Sequence, residues 1–240
     1  MVTVSVYGTD NRCTYDALQR LQGKGRGVAF IDPDTITDDE LDKLHSVGFR
    51  AVRVYMRAVS KNASQTEWPT VLRKYAARIR RLGWAIQIYI SLAQVGEVFP
   101  LVPELGVKIV FDHLAHPEAG ISPSLQPGCE ELYKGLKENK NVFVKLSGTY
   151  RLTRVPDLES HIKHLLKIAP DQVVWGSDWP HTGSVEKNPG GDRKALQDYL
   201  TPDIPAFIQQ CIEWCENDVT LMKKIWVDNP RRLWDYTSDD

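Results

Sequence analysis

Apolar residues fall in short consecutive runs separated by amphipathic stretches, from one end of the chain to the other. Residues 2–7, 27–31, 51–55, 84–90, 108–111, 142–146 and 173–175 are mostly apolar on successive positions, as strands covered on both faces must be. Between them, Thr37 with Glu40 and Ser64 with Glu67 read as capping boxes, an N-cap hydroxyl paired with a carboxylate one turn on. Gly48 and Gly83 supply the stops. Further helices are expected over 14–21, 94–102, 128–138, 205–216 and 218–225, and 157–167 alternates like an outer amphipathic helix. This alternation predicts an α/β fold of parallel βα units, one domain spanning 1–240. The runs make roughly seven strands, where a TIM-type (β/α)8 barrel needs eight. A doubly wound sheet would carry a glycine-rich phosphate loop after its first strand, and Tyr7-Gly8-Thr9-Asp10-Asn11 is not one. The expectation is therefore a TIM-type barrel incomplete at its N-terminus.

Composition narrows the function. The 30 Lys and Arg nearly balance the 31 Asp and Glu, so no global field attracts nucleic acid or an anionic membrane. No apolar run approaches the roughly 20 residues of a membrane span. Met1-Val2-Thr3-Val4 lacks the features of a signal peptide, and the expected setting is cytoplasmic. Four scattered cysteines fit reduced thiols, and Cys211 with Cys215, one helical turn apart, lack a second pair to complete a zinc site. His161 and His164 share a helix face and are expected to be solvated.

The C-terminal ends of parallel strands share one face. Ser5, Arg53, Tyr55, Tyr89, Asp112-His113, Lys145, Ser147, Tyr150-Arg151, Asp178 and His181 all lie at or just beyond such ends. The run Val173-Val174-Trp175-Gly176-Ser177-Asp178-Trp179-Pro180-His181 is the most telling, because it ends a buried strand with a carboxylate beside an imidazole. This set can hold an anionic substrate between two arginines and attack it with water activated by Asp178. Each member also has a structural alternative. Asp112 and His113 can satisfy backbone groups at the barrel mouth, and Arg53 can pair with a carboxylate on a neighbouring strand. Lys145 can form a Schiff base, but an ion pair with Asp112 or Asp178 ranks higher, since it shares a strand face with Ser147.

Four motifs in order, Phe111-Asp112-His113-Leu114-Ala115-His116-Pro117, Phe143-Val144-Lys145-Leu146-Ser147-Gly148-Thr149-Tyr150-Arg151, Gly176-Ser177-Asp178-Trp179-Pro180-His181 and Asp228-Asn229-Pro230-Arg231-Arg232-Leu233, resemble the amidohydrolase-related hydrolases, in the branch that includes 2-pyrone-4,6-dicarboxylate lactonase. That resemblance implies a hydrolase opening a lactone or ester of a small carboxylated substrate. It implies Asp178 as the base, His113 as a polarising group without any metal, Arg53 and Arg151 as carboxylate holders, and Tyr89 and Ser5 as hydrogen-bond donors. Tyr150 and His181 complete the expected substrate-binding set. The family opens with a His-x-His pair, whereas the first histidine here is His45, within a helical segment. The chain's start instead resembles the family's second strand. This leaves His113 and Asp178, too few ligands for a tight zinc site, so no cofactor is expected. A gapped barrel leaves strand edges that self-association would cover. Three other readings stay open: a non-catalytic anion-binding barrel, the product of a truncated longer gene, and a decarboxylase of the same superfamily.

Overall fold

A computed structural model describes residues 1–54, 68–183, 190, 192 and 195–236. Six parallel strands, β1 Gly27–Ala29, β2 Phe49–Val54, β3 Ala85–Ile88, β4 Ile109–Phe111, β5 Val142–Leu146 and β6 Val173–Trp175, lie side by side in chain order. Neighbours in sequence are neighbours in space, the order of a singly wound barrel; a doubly wound sheet reverses direction at a switch point. Helices separate the strands: α1 Arg12–Leu21, α2 Asp38–Ser46, α3 Trp68–Ile79, the short α4 Val95–Val98 and α5 Val102–Leu105, α6 Cys129–Glu138, α7 Leu158–Ile168, α8 Ile204–Trp214, α9 Val219–Lys223 and α10 Asn229–Trp234. The Thr37–Glu40 box forms as expected at the start of α2. The Ser64–Glu67 box and Tyr55 lie outside the described residues.

Three expectations are corrected. The helix expected over 94–102 is broken into α4, α5 and one intervening 3-10 turn, Phe99–Leu101, with Pro100 and Pro103 denying the continuous hydrogen-bond ladder. The helix expected to end at 225 runs on through a π-helical stretch, Lys224–Asp228, into α10. Residues 2–7 do not form a strand. They contribute one parallel bridge, Val2 to Val28, and then turn into a 3-10 helix at Ser5–Tyr7. The reason is Asn11, whose side-chain amide takes the strand's place. Its Oδ1 accepts the Phe30 N–H at 2.9 Å and its Nδ2 donates to the Phe30 carbonyl at 2.7 Å. With the backbone of Phe30 satisfied, Val4–Tyr7 has nothing to pair with, and Val6 is 81% exposed.

Strand alternation sorts the residues into two faces. Ala29, Val52, Ile86, Ile109, Val144 and Val173 pack outward with the helices in the main core. Val28, Ala51, Ala85, Val110, Phe143 and Val174, one from each strand, form a separate cluster inside the sheet, and Leu233 of α10 closes it from below. Asn229 ties α10 to the sheet by donating to the carbonyls of Pro170 and Val173, each at 2.8 Å. Because side chains alternate, the residue two positions on from each floor residue faces the lumen above it. Those residues are Phe30, Arg53, Gln87, Asp112, Lys145 and Gly176.

Leu233→Ala removes the plug of this floor. It should lower unfolding free energy in urea by about 2–5 kcal/mol, the range for deleting a buried leucine side chain.

Candidate active site

Asp112 is the hub of the layer above the apolar floor. Its side chain is fully buried, with Lys145 Nζ at 2.8 Å and Arg53 Nη1 at 3.1 Å, and Gln87 Nε2 donates to it at 2.9 Å. Burial alone would raise this carboxyl, but the surrounding His113, Lys145 and Arg53 hold it far below the ordinary carboxylate range. Lys145 is therefore an ion-pair partner, the higher-ranked of its two expected roles, and Arg53 pairs with a carboxylate as in its alternative, though one that follows β4, two strands away, and not one on a neighbouring strand. Gln87 belongs to no expected set. Its position two residues after Ala85 is the signal that would have placed it in the lumen.

The layer above the hub carries the reactive groups. Asp178, just beyond β6, accepts from Tyr150 Oη and from Arg151 Nε, both at 2.7 Å and both at Oδ2. Its other oxygen, Oδ1, lies 3.7 Å from His113 Nε2. Burial pushes the Asp178 carboxyl up, yet His113, Tyr150 and Arg151 together bring it below its usual range, so it is ionised at neutral pH. The Tyr150 hydroxyl is pushed up by burial and by donating to Asp178, and stays protonated. His113 is held below its ordinary value chiefly by burial, which outweighs the pull of the two carboxylates, and is neutral at pH 7.

The exit from β4 explains how His113 reaches this layer. His113, Leu114, Ala115 and His116 all have positive φ, at 48°, 59°, 57° and 46°, a run of left-handed conformations that non-glycine residues adopt only where the surroundings impose them. The turn closes with Ala115 N–H on the Asp112 carbonyl and His116 N–H on that of His113. Opposite it stands Gly148, at φ 65°; a Cβ there would meet His113 Nδ1 at 2.7 Å and Asp178 Oδ2 at 3.3 Å. Glycine is thus required twice over, for backbone and for space.

Aromatic contacts join the remaining expected residues to this centre. Tyr89 lies edge-on to His113 with ring centroids 5.7 Å apart, and the Arg53 guanidinium carbon is 5.9 Å from the Tyr89 ring centroid. His181 is buried edge-on against Tyr150 at 5.3 Å. Asp178, His113, Arg53, Arg151, Tyr89, Tyr150 and His181 are therefore brought together. Ser5 is not: it opens an exposed 3-10 turn and makes no side-chain contact with the cluster among the described residues, because the strand that would have carried it does not form. Ser147, fully buried, bonds His113 Nδ1 at 2.9 Å, a pairing that strand order alone did not reveal. His161 is also corrected. It is 3% exposed, its Nδ1 held at 2.7 Å by the Tyr133 hydroxyl, and burial takes it down to about 4.

The donors that come nearest to a metal-binding arrangement among the described residues already have other partners. Among the described residues, no group of three or more His, Cys, Asp and Glu has a metal-binding arrangement. The best partial set is His113 with Asp112 and Asp178. Asp112 is already bound by a lysine, an arginine and a glutamine, and Asp178 by a tyrosine and an arginine.

Comparison with known proteins agrees with this fold. The amidohydrolase family profile matches residues 1–236, and the chain belongs to that family. A 2-pyrone-4,6-dicarboxylate hydrolase of Comamonas testosteroni is 29% identical over 247 aligned positions, covering 98% of this chain and 74% of the relative. A 4-sulfomuconolactone hydrolase of Rhizobium radiobacter is 29% identical, covering 96% and 73%. Among solved structures, a candidate 2-pyrone-4,6-dicarboxylic acid hydrolase of Pseudomonas putida superposes with a TM-score of 0.75 at 25% identity, covering 98% of this chain and 81% of that one. The incomplete TIM-type barrel expected from the sequence is thus the fold, with six strands and one bridge in place of seven strands.

Two predictions come from this geometry. A carboxyl depressed in the folded state stabilises fully above its unfolded pKa, about 3.9, and that contribution is lost as pH falls through the lower folded value. Asp178→Asn should therefore show a shallower loss of urea midpoint than wild type below about pH 4. Gly148→Ala should cost roughly 1–2 kcal/mol from the left-handed backbone alone, read as a lower thermal midpoint, with a further loss because His113 must move.

Proposed function

We propose that this protein opens a lactone bearing a further anionic group by adding water to the ring carbonyl, with Asp178 as general base and no metal. The observation that carries the reading is the asymmetry of Asp178. Both hydrogen bonds fall on Oδ2, which keeps the group ionised and fixed, while Oδ1 faces His113 across 3.7 Å. Oδ1 takes a proton from water as the water oxygen bonds to the carbonyl carbon. The carbonyl oxygen becomes an oxyanion and accepts from His113 Nε2–H. Collapse then breaks the ring C–O bond, and the proton on Asp178 passes to the departing oxygen. One water is consumed, and the base is restored.

Charge supports the anionic substrate. Arg53, Lys145 and Arg151 bring three positive charges to the site, against two negative charges from Asp112 and Asp178. The neutral His113 leaves a surplus of one cation. The two curated relatives are named for lactones carrying carboxylates or a sulfonate, which fits a site of this sign. Arg151 and Arg53 are the proposed anion holders, with Tyr89, Tyr150 and His181 walling the substrate. Four free cysteines accord with a cytoplasmic setting; among the described residues no helix is long and apolar enough to cross a membrane.

A panel of carboxylated and sulfonated lactones, assayed by proton release, tests the proposal. Wild type should turn over at least one of them, and Asp178→Asn should lose at least about 100-fold in kcat. Near-normal turnover by that variant would overturn the role of Asp178. Arg151→Ala should raise KM for charged lactones. Binding without turnover would favour the non-catalytic barrel, and carbon dioxide release the decarboxylase.

A further inference from the structure

We propose that Ser147 is a positioning residue that fixes His113 in the tautomer with its proton on Nε2, so that the imidazole can donate to the oxyanion. The inference rests on the reading of His113 as that donor. A neutral imidazole has two tautomers, and only one presents an N–H at the reacting side. Which one forms depends on what each ring nitrogen meets.

Both ends of His113 demand the same answer. On the Nε2 side, Asp112 Oδ2 and Asp178 Oδ1 each lie at 3.7 Å. A lone pair there would face two carboxylate oxygens, whereas an N–H is attracted to both. On the Nδ1 side, Ser147 Oγ is at 2.9 Å and the serine is fully buried. His113 is the sole hydrogen-bond partner of that hydroxyl among the described residues. If Nδ1 carried the proton, the serine would accept it, and its own O–H would be left buried without an acceptor. With the serine donating to Nδ1, the hydroxyl proton is used, the Nδ1 lone pair is satisfied, and Nε2–H points toward the space beside Asp178. Burial keeps the ring neutral, so the choice of tautomer is a real one.

The surroundings hold this arrangement in place. Ser147 directly follows β5, two positions after Lys145 and on the same side of the chain. Its neighbour Gly148 provides the opening into which Nδ1 fits. The serine hydroxyl does not touch Asp178 in the described contacts. Its influence passes through the ring.

The decisive experiment is long-range 1H–15N correlation of histidine rings in the uniformly 15N-labelled 240-residue chain, with His113 assigned from the signals missing in His113→Gln. Wild-type His113 should show the Nε2-protonated pattern. Ser147→Ala, which leaves only the two carboxylates to favour Nε2–H, should shift it measurably toward averaged values from mixed tautomers, and Ser147→Thr, which restores a hydroxyl, should recover it. A wild-type ring protonated at Nδ1, or an unchanged pattern in Ser147→Ala, would overturn the proposal. This readout needs no substrate, so it stands or falls apart from the lactonase reading. On any lactone that is turned over, Ser147→Ala should lose about 10- to 100-fold in kcat with little change in KM, and Ser147→Thr should restore most of it. Equal losses in the alanine and threonine variants, with both spectra unchanged, would assign Ser147 a packing role only.

Discussion

The buried carboxylate of Asp112 is the constraint on which the site depends. A charge removed from water is costly unless it is paired, and here a lysine and an arginine pair it from β5 and β2 while an amide from β3 donates to it. One residue thereby links four strands across the lumen. Such a cluster is weak evidence for stability, since an apolar layer of equal volume can be as stable. Its value is positional: it holds two cations in fixed places directly under the catalytic layer and fixes where β4 ends.

Below the cluster, the apolar floor excludes water from the lumen. Above it, the backbone leaves its favoured conformations. The four left-handed residues after Asp112 carry a strain that the hydrogen bonds of the turn and the packing of Leu114 and Ala115, both buried, must offset. The result is an imidazole aimed back across the lumen at a carboxylate from β6. Site and fold are thus parts of one stack: apolar plug, ion cluster, reactive pair.

Much of this stack was legible in the sequence, and the exceptions have physical causes. Strands buried on both faces announce themselves as apolar runs, so 142–146 was read to the residue. The convergence of Asp178, His113, Arg53 and Arg151 follows from parallel strands sharing an end. Residues 2–7 misled because their composition suits a strand, while the group that displaces it, the amide of Asn11, is a single polar side chain in a loop. Ser5 fell with that segment. His161 looked solvated among charged neighbours, and only the packing of α6 on α7, which brings Tyr133 to it, makes burial tolerable. The ion cluster was half visible: the parity of Lys145 with Ser147 pointed inward, but which carboxylate it met depends on the stagger between strands. The left-handed turn at His113 had no sequence signal at all, since none of its four residues is glycine.

The substitution of Asn11 for a strand has a consequence for how the molecule meets its neighbours in solution. An open sheet edge is a template for another chain, because its N–H and C=O groups wait in the right geometry for a partner strand. Beside β1 those groups are answered by the backbone of Met1–Thr3 at Val28 and by the Asn11 amide at Phe30. A single side chain thus makes this flank a poor seed for edge-to-edge aggregation, and does so without the extended backbone that would itself have presented a fresh edge.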